Sequence, residues 1–168
     1  TDDVFVPCAP VLTKKLSPAN ISNRGTAQLT FTLTPAPNSA PNALPVSFID
    51  NLPAGIEVLN TSIPAANNTC GATVTKADGT ALAAGATGVK ISNAVLPSGG
   101  SQACSITVNV TNRLGQFNAD CAANPTAFTN GAGNMSGFIN ATNGVTNACL
   151  VVNQAPVTLT KGFAPSPI

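Results

Sequence analysis

The segment TAQLTFTLTP (residues 26–35) sets Leu29, Phe31 and Leu33 in strict alternation with Thr30, Thr32 and Thr34. A two-residue period puts one set of side chains on each face of a strand, so this run specifies a half-buried β-strand. CSITVNVTN (104–112) repeats the pattern, with Cys104, Ile106, Val108 and Val110 on one face and Ser105, Thr107 and Asn109 on the other. Weaker strand candidates are VLTKKL (11–16), PVSFID (45–50), GIEVLN (55–60), GATVTK (71–76), GVKISN (88–93), GFIN (137–140) and ACLVVN (148–153). Between them lie PAPNSAPN, NLPAG, PAANN, ADGT, LPSGG and NATNG, whose residues supply positive φ, fixed φ or local side-chain caps and so reverse the chain. No window combines sustained i, i+3, i+4 apolar spacing with good helix formers, and two glycines interrupt the alanines of TALAAGATG. About eight short strands at intervals of roughly 8–15 residues predict an all-β, immunoglobulin-like antiparallel β-sandwich.

Composition removes several functional classes. Only 8% of the 168 residues are charged, against roughly a quarter in ordinary soluble domains. A net charge of +1 gives no electrostatic basis for binding nucleic acid or an anionic membrane surface. No apolar run approaches the roughly 18 residues of a membrane span. Histidine is absent, so a serine or cysteine nucleophile lacks its commonest base and no enzyme is expected. GAGNMSG (131–137) has neither the spacing nor the strand-to-helix setting of a dinucleotide loop. Neither a cofactor nor a metal is expected. The five cysteines show no Cys-x-x-Cys spacing, which argues for disulfides over zinc and for an extracellular or cell-surface location. Sequons at Asn20, Asn60, Asn67, Asn109, Asn134 and Asn140 leave glycosylation open.

The chain also repeats itself. APVLTKKLSPANI near the start resembles APVTLTKGFAPSPI at the end. Placing Leu12-Thr13-Lys14 over Leu159-Thr160-Lys161 also superimposes Pro18 on Pro165 and Ile21 on Ile168, and a one-residue insertion near Thr158 aligns Ala9-Pro10-Val11 with Ala155-Pro156-Val157. Residues 1–154 are therefore expected to form one sandwich module. Residues 155–168 read as the first strand of a following repeat, or as a donor strand for a neighbouring subunit, with Val157, Leu159, Lys161, Phe163 and Ile168 as the assembly residues. The first alternative is favoured, because the tail copies a strand the module already has and stops mid-motif, as a fragment of a longer polypeptide would.

The order LTKKLSPANISNRGTAQLTFTLT, FIDNLPAGIEVLN, TCGATVT and LPSGGSQACSITVNVT resembles bacterial surface repeat domains of the DUF11 and DUF7933 type over about residues 9–155. That resemblance implies tandem immunoglobulin-like modules of exported adhesins, stalks or fibres, and it implies a disulfide between Cys70 and Cys104. Residues 115–150 match less well. Cys121 and Cys149 bracket this divergent stretch and are expected to pair. Cys8 is then left over, with an intermolecular partner, a cut chain or a buried thiol as its alternatives. The expected function is a structural module of an extracellular filament, stalk or adhesin whose partners are further copies of itself. The rival is an adhesin binding module for a glycan or host protein, for which Phe117, Phe128 and Phe138 in the irregular stretch are the available aromatic residues.

Lys14, repeated as Lys161, raises one chemical question. In pilin-like domains of Gram-positive bacteria a first-strand lysine attacks a last-strand asparagine, assisted by a buried acid, and forms an isopeptide bond. The corresponding candidates are Lys14, Asn153 and either Asp50 or Glu57. Such chemistry needs a desolvated neutral amine beside a protonated carboxyl group, which only burial arranges. The sequence favours the plainer reading, in which Lys14 is a solvent-facing strand residue.

Overall fold

The alternation of the two clearest runs becomes the centre of the larger sheet. In the computed structural model, which describes residues 9–36, 44–154, 159, 161 and 162, strand β3 (Ala27–Thr34) lies antiparallel between β1 (Val11–Ser17) and β8 (Cys104–Asn112). Phe31 stands opposite Lys14 on one side and Ile106 on the other. The inward side chains of β3, Leu29, Phe31 and Leu33, are fully buried. On the outer face Thr30 and Thr107 bring their hydroxyls to 3.0 Å.

The other strands are β2 (Asn20–Ser22), β4 (Val46–Asn51), β5 (Ile56–Val58), β6 (Thr73–Lys76), β7 (Gly88–Ala94) and β9 (Thr129–Asn130). After them come β10 (Met135–Ile139), β11 (Thr142–Asn143), β12 (Ala148–Cys149) and β13 (Val151–Asn153). The five-stranded sheet has the order β11-β1-β3-β8-β5 and the four-stranded sheet β10-β4-β7-β6, with β12-β9 and β13-β2 as two-stranded additions. The two main sheets share one apolar core. The Phe31 ring of one sheet meets the Phe48 ring of the other at 5.3 Å between centroids, an arrangement suited to tilted aromatic pairs. The fold is an all-β sandwich, as the alternation predicts.

Two disulfides tie it. Cys70 is bonded to Cys104 across 34 residues and Cys121 to Cys149 across 28. Closing a loop of the first size removes about 3–4 kcal/mol of conformational entropy from the unfolded chain. Cys8, Val157, Phe163 and Ile168 lie outside the described residues.

The segment ACLVVN departs from a single strand. Leu150, fully buried, interrupts it, so that β12 pairs antiparallel with β9 while β13 pairs parallel with β2. The turn NLPAG also holds a contact that its turn residues do not announce. A Cβ placed on Gly55 would stand 2.5 Å from the Phe128 ring, and the Gly55 amide donates to the Ala127 carbonyl at 2.8 Å. Phe128, buried and borne on the helical turn Pro125–Phe128, therefore lies flat against the Gly55 backbone. Gly55→Ala is expected to lower stability by about 1–3 kcal/mol through overpacking. Urea unfolding checks this, and Gly55→Ala combined with Phe128→Leu should recover part of the loss; an unchanged midpoint in the single variant would contradict the contact.

Candidate functional site

Strand β1 alternates its burial from Leu12 through Leu16, and Lys14 falls on the inward face with both leucines. Strand β4 does the same with Val46, Phe48 and Asp50. The two charged residues thus occupy core positions on facing sheets, and their side chains are wholly excluded from solvent. Lys14 Nζ stands 3.1 Å from Asp50 Oδ2. This corrects the expectation of a solvent-facing Lys14: the strand's own period turns the side chain inward.

The third member comes from the divergent segment. Asn130, on β9 and 1% exposed, accepts from Lys14 Nζ through Oδ1 at 2.7 Å and donates through Nδ2 to Asp50 Oδ2 at 2.8 Å. Each of the three side chains therefore touches the other two. Met135, at the start of β10, closes the cluster with its sulfur 3.3 Å from Nζ. Asp50 Oδ1 is buried and has no hydrogen-bond partner among the described residues.

Asn130 is held from both sides. It stands opposite Ala148 in the β9-β12 pair, and its neighbour Thr129 stands opposite Cys149, which the disulfide binds to Cys121. The amide of the following Gly131 donates to Asn134 Oδ1 at 2.9 Å. A Cβ on Gly131 would overlap the Asn147 side chain, so the backbone next to Asn130 is packed without slack.

Burial acts on both titratable members in the direction of neutrality. Loss of solvation pushes the Lys14 ammonium below its ordinary pKa, against the opposing pull of Asp50. It likewise raises the Asp50 carboxyl, against the stabilising influence of Lys14 and Asn130. Removing water penalises whichever form carries charge. Moving one proton from Nζ to the carboxyl leaves an amine and a carboxylic acid at hydrogen-bond distance, with an amide between them.

The remaining isopeptide candidates lie elsewhere. Asn153 is not brought to Lys14: β13 runs parallel to β2, where the exposed Asn153 side chain donates to Asn20 Oδ1 at 2.8 Å. Glu57 faces outward from β5 and bonds Arg24 at 2.5 Å, with Arg113 at 3.9 Å. Leu159, described in the C-terminal repeat of the β1 sequence, is 91% exposed, and Lys161 is also exposed. Phe128 is buried in the core, and Phe117 and Phe138 pack against it, so these three rings form no exposed aromatic cluster.

The profile of a domain of unknown function (DUF7933) matches residues 10–152. The chain belongs to this family. Neither the curated proteins nor the solved structures contain a match to it. Lys14, Asp50 and Asn130 all fall inside the matched region.

The two acidic residues should respond differently to substitution. Asp50→Ala leaves the buried lysine without its counter-ion and is expected to cost about 3–5 kcal/mol. Glu57→Gln breaks solvent-accessible pairs and should cost less than about 1 kcal/mol. Chemical denaturation of the two variants side by side measures the difference, and equal losses would refute the assignment of Asp50 as the buried partner.

Proposed function

We propose that the chain is a structural module of an extracellular filament, stalk or surface adhesin, joined end to end to further copies of the same fold. The observation that supports this most is the second copy of the β1 sequence. In β1, Leu12 is fully buried and Lys14 completes the Lys14–Asp50–Asn130 cluster. The later copy repeats both residues as Leu159 and Lys161, yet Leu159 is almost wholly exposed. An exposed leucine at the position that is buried in β1 fits the first strand of another sandwich.

The tandem arrangement is the better form of this reading. Within the module β1 is paired along its full length with β3, from Val11 opposite Thr34 to Ser17 opposite Gln28. The slot that a donor strand would enter is occupied, so exchange would first have to expel seven paired residues. A continuous chain avoids that cost. Two disulfides suit an oxidising, exported setting, and among the described residues no helix is long and apolar enough to cross a membrane. The outer positions of β3 and β8 carry Thr30, Thr32, Ser105, Thr107 and Asn109, a neutral face without the aromatic anchors a binding tip would use. On this reading the role is mechanical rather than catalytic, and the partners are neighbouring copies.

The mass of the polypeptide from its natural source, measured reduced and denatured, tests the arrangement. A mass many times the 16.7 kDa of this chain is the expected result. A mass near it, from material that is polymeric before denaturation, would replace tandem repetition by strand exchange. A compact monomer of that mass would overturn the structural role and favour an adhesin domain that binds a glycan or a host surface protein.

A further inference from the structure

We infer that Lys14 and Asn130 become joined by an intramolecular isopeptide bond, formed autocatalytically after folding with Asp50 as the proton-transferring group. The inference rests on the three-way contact and not on the filament reading, and it holds for a single module in isolation. The sequence pointed to Asn153 as the acceptor; the fold delivers Asn130.

The geometry supplies what the reaction requires. The nucleophile, Lys14 Nζ, lies 2.7 Å from Asn130 Oδ1, and the carbon to be attacked is one bond beyond that oxygen. Asp50 Oδ2 reaches both the lysine nitrogen and the asparagine amide nitrogen. A group placed to exchange protons with both can take one from the attacking amine and deliver it to the departing one. Holding amine, amide and acid together in a dry core also replaces a slow encounter in water by an intramolecular step.

The hydrogen bonds present belong to the charged form, in which ammonium donates to the amide oxygen and carboxylate accepts from the amide nitrogen. When the proton passes from Nζ to Asp50, the preferred amide orientation reverses. A half-turn about the Asn130 side-chain amide presents its NH2 group to the neutral amine and its oxygen to the new carboxylic acid, and heavy-atom positions hardly change. In that state Asp50 donates to the carbonyl oxygen and polarises the carbon. The unpartnered Asp50 Oδ1 is less costly on a neutral carboxyl than on a carboxylate.

The atoms balance as follows. The Nζ lone pair forms a bond to Asn130 Cγ, and the carbonyl π electrons move to oxygen under the hydrogen bond from Asp50. One proton leaves Nζ and one arrives on Nδ2, with Asp50, which touches Nζ and the former carbonyl oxygen, holding the proton in transit. The Cγ–Nδ2 bond breaks, its electron pair departs with nitrogen, and ammonia is released. The product is a secondary amide between Nζ and Cγ, Asp50 is left as the neutral carboxylic acid from which the attack began, and nothing is oxidised or reduced. The ammonium has become an amide nitrogen and Asp50 keeps the proton it received, so the core loses a charge pair.

A competing reaction has the same mass signature. Asn130 precedes Gly131, and attack by the Gly131 amide nitrogen on the same carbon would also expel ammonia and give a succinimide. Two features oppose it: the Gly131 N–H is engaged with Asn134, and the asparagine side chain is held toward β1 and β4 by Lys14 and Asp50.

Intact-mass measurement of the purified, folded chain with disulfides reduced, followed by proteolytic mapping, decides the matter. The expected result is a deficit of one ammonia and a branched peptide that links the segment around Lys14 to the segment around Asn130. Lys14→Arg, Asn130→Ala and Asp50→Asn should each restore the full mass, with Glu57→Gln retaining the deficit. A wild-type chain at full mass would overturn the proposal. So would a deficit that persists in Lys14→Arg, since that identifies the succinimide, or a branched peptide that ends at Asn153. Should Asp50→Asn or Asn130→Ala fail to fold, the wild-type map and Lys14→Arg alone still separate these outcomes.

Discussion

A lysine in the core of a small sandwich is the feature to which the rest of this structure answers. Removing an ammonium and a carboxylate from water costs several kcal/mol per ion, and a well-packed hydrophobic pair in the same space is often at least as stabilising. Lys14 and Asp50 sit in such a space, facing each other from β1 and β4 with no solvent contact. Leu12 and Leu16 on one side and Phe48 on the other show that apolar residues fit the neighbouring inward positions. Retaining two charges there makes little sense as packing. It makes sense as chemistry, because the same burial that penalises the charges favours a free amine and a carboxylic acid.

The irregular half of the molecule takes on meaning from that site. Residues from Leu114 to Leu150 hold short strands, a helical turn and a second disulfide in place of long ladders. Their common effect is to deliver one amide side chain. Cys121–Cys149 anchors β12, β12 pairs with β9, and β9 ends in Asn130. Phe128 lies two residues earlier, its ring flat on Gly55, and fixes the approach of the same segment to the sandwich. A two-residue strand has little stability of its own; here a disulfide, an aromatic ring and a partner strand over-determine its position.

Much of this was legible in the sequence, and the limits were physical. The alternation in β3 and β8 located both strands correctly, because a period of two has no other common structural meaning. The same rule applied to VLTKKL and PVSFID puts Lys14 in phase with Leu12 and Leu16, and Asp50 in phase with Val46 and Phe48. Their burial was therefore readable from phase, and charge alone had suggested otherwise. Asn130 carried no such signal. It lies in a non-periodic stretch rich in asparagine and glycine, and its proximity to Lys14 depends on contacts 116 residues apart in sequence. Gly55 was legible as part of a turn, whereas its close approach to Phe128 depends on a residue far along the chain.

The covalent connectivity has a consequence for a module under tension. Cys70–Cys104 lies wholly within the span from Lys14 to Asn130, while Cys121–Cys149 straddles Asn130. With disulfides alone, a pull between β1 and β13 can draw out the chain from Lys14 to Cys70 and from Cys104 to Cys121. At about 3.5 Å per extended residue, that is on the order of 250 Å of hidden length. A bond from Lys14 to Asn130 removes almost all of it, since force then passes from β1 to β9 directly and reaches Cys149 either forward along the chain or back through Cys121. The sheets between need not resist the load at all. A sandwich tied in this way would have no long unfolding path to yield along, a property suited to the proposed role as a repeated module of a filament, and three side chains placed in its core would supply it.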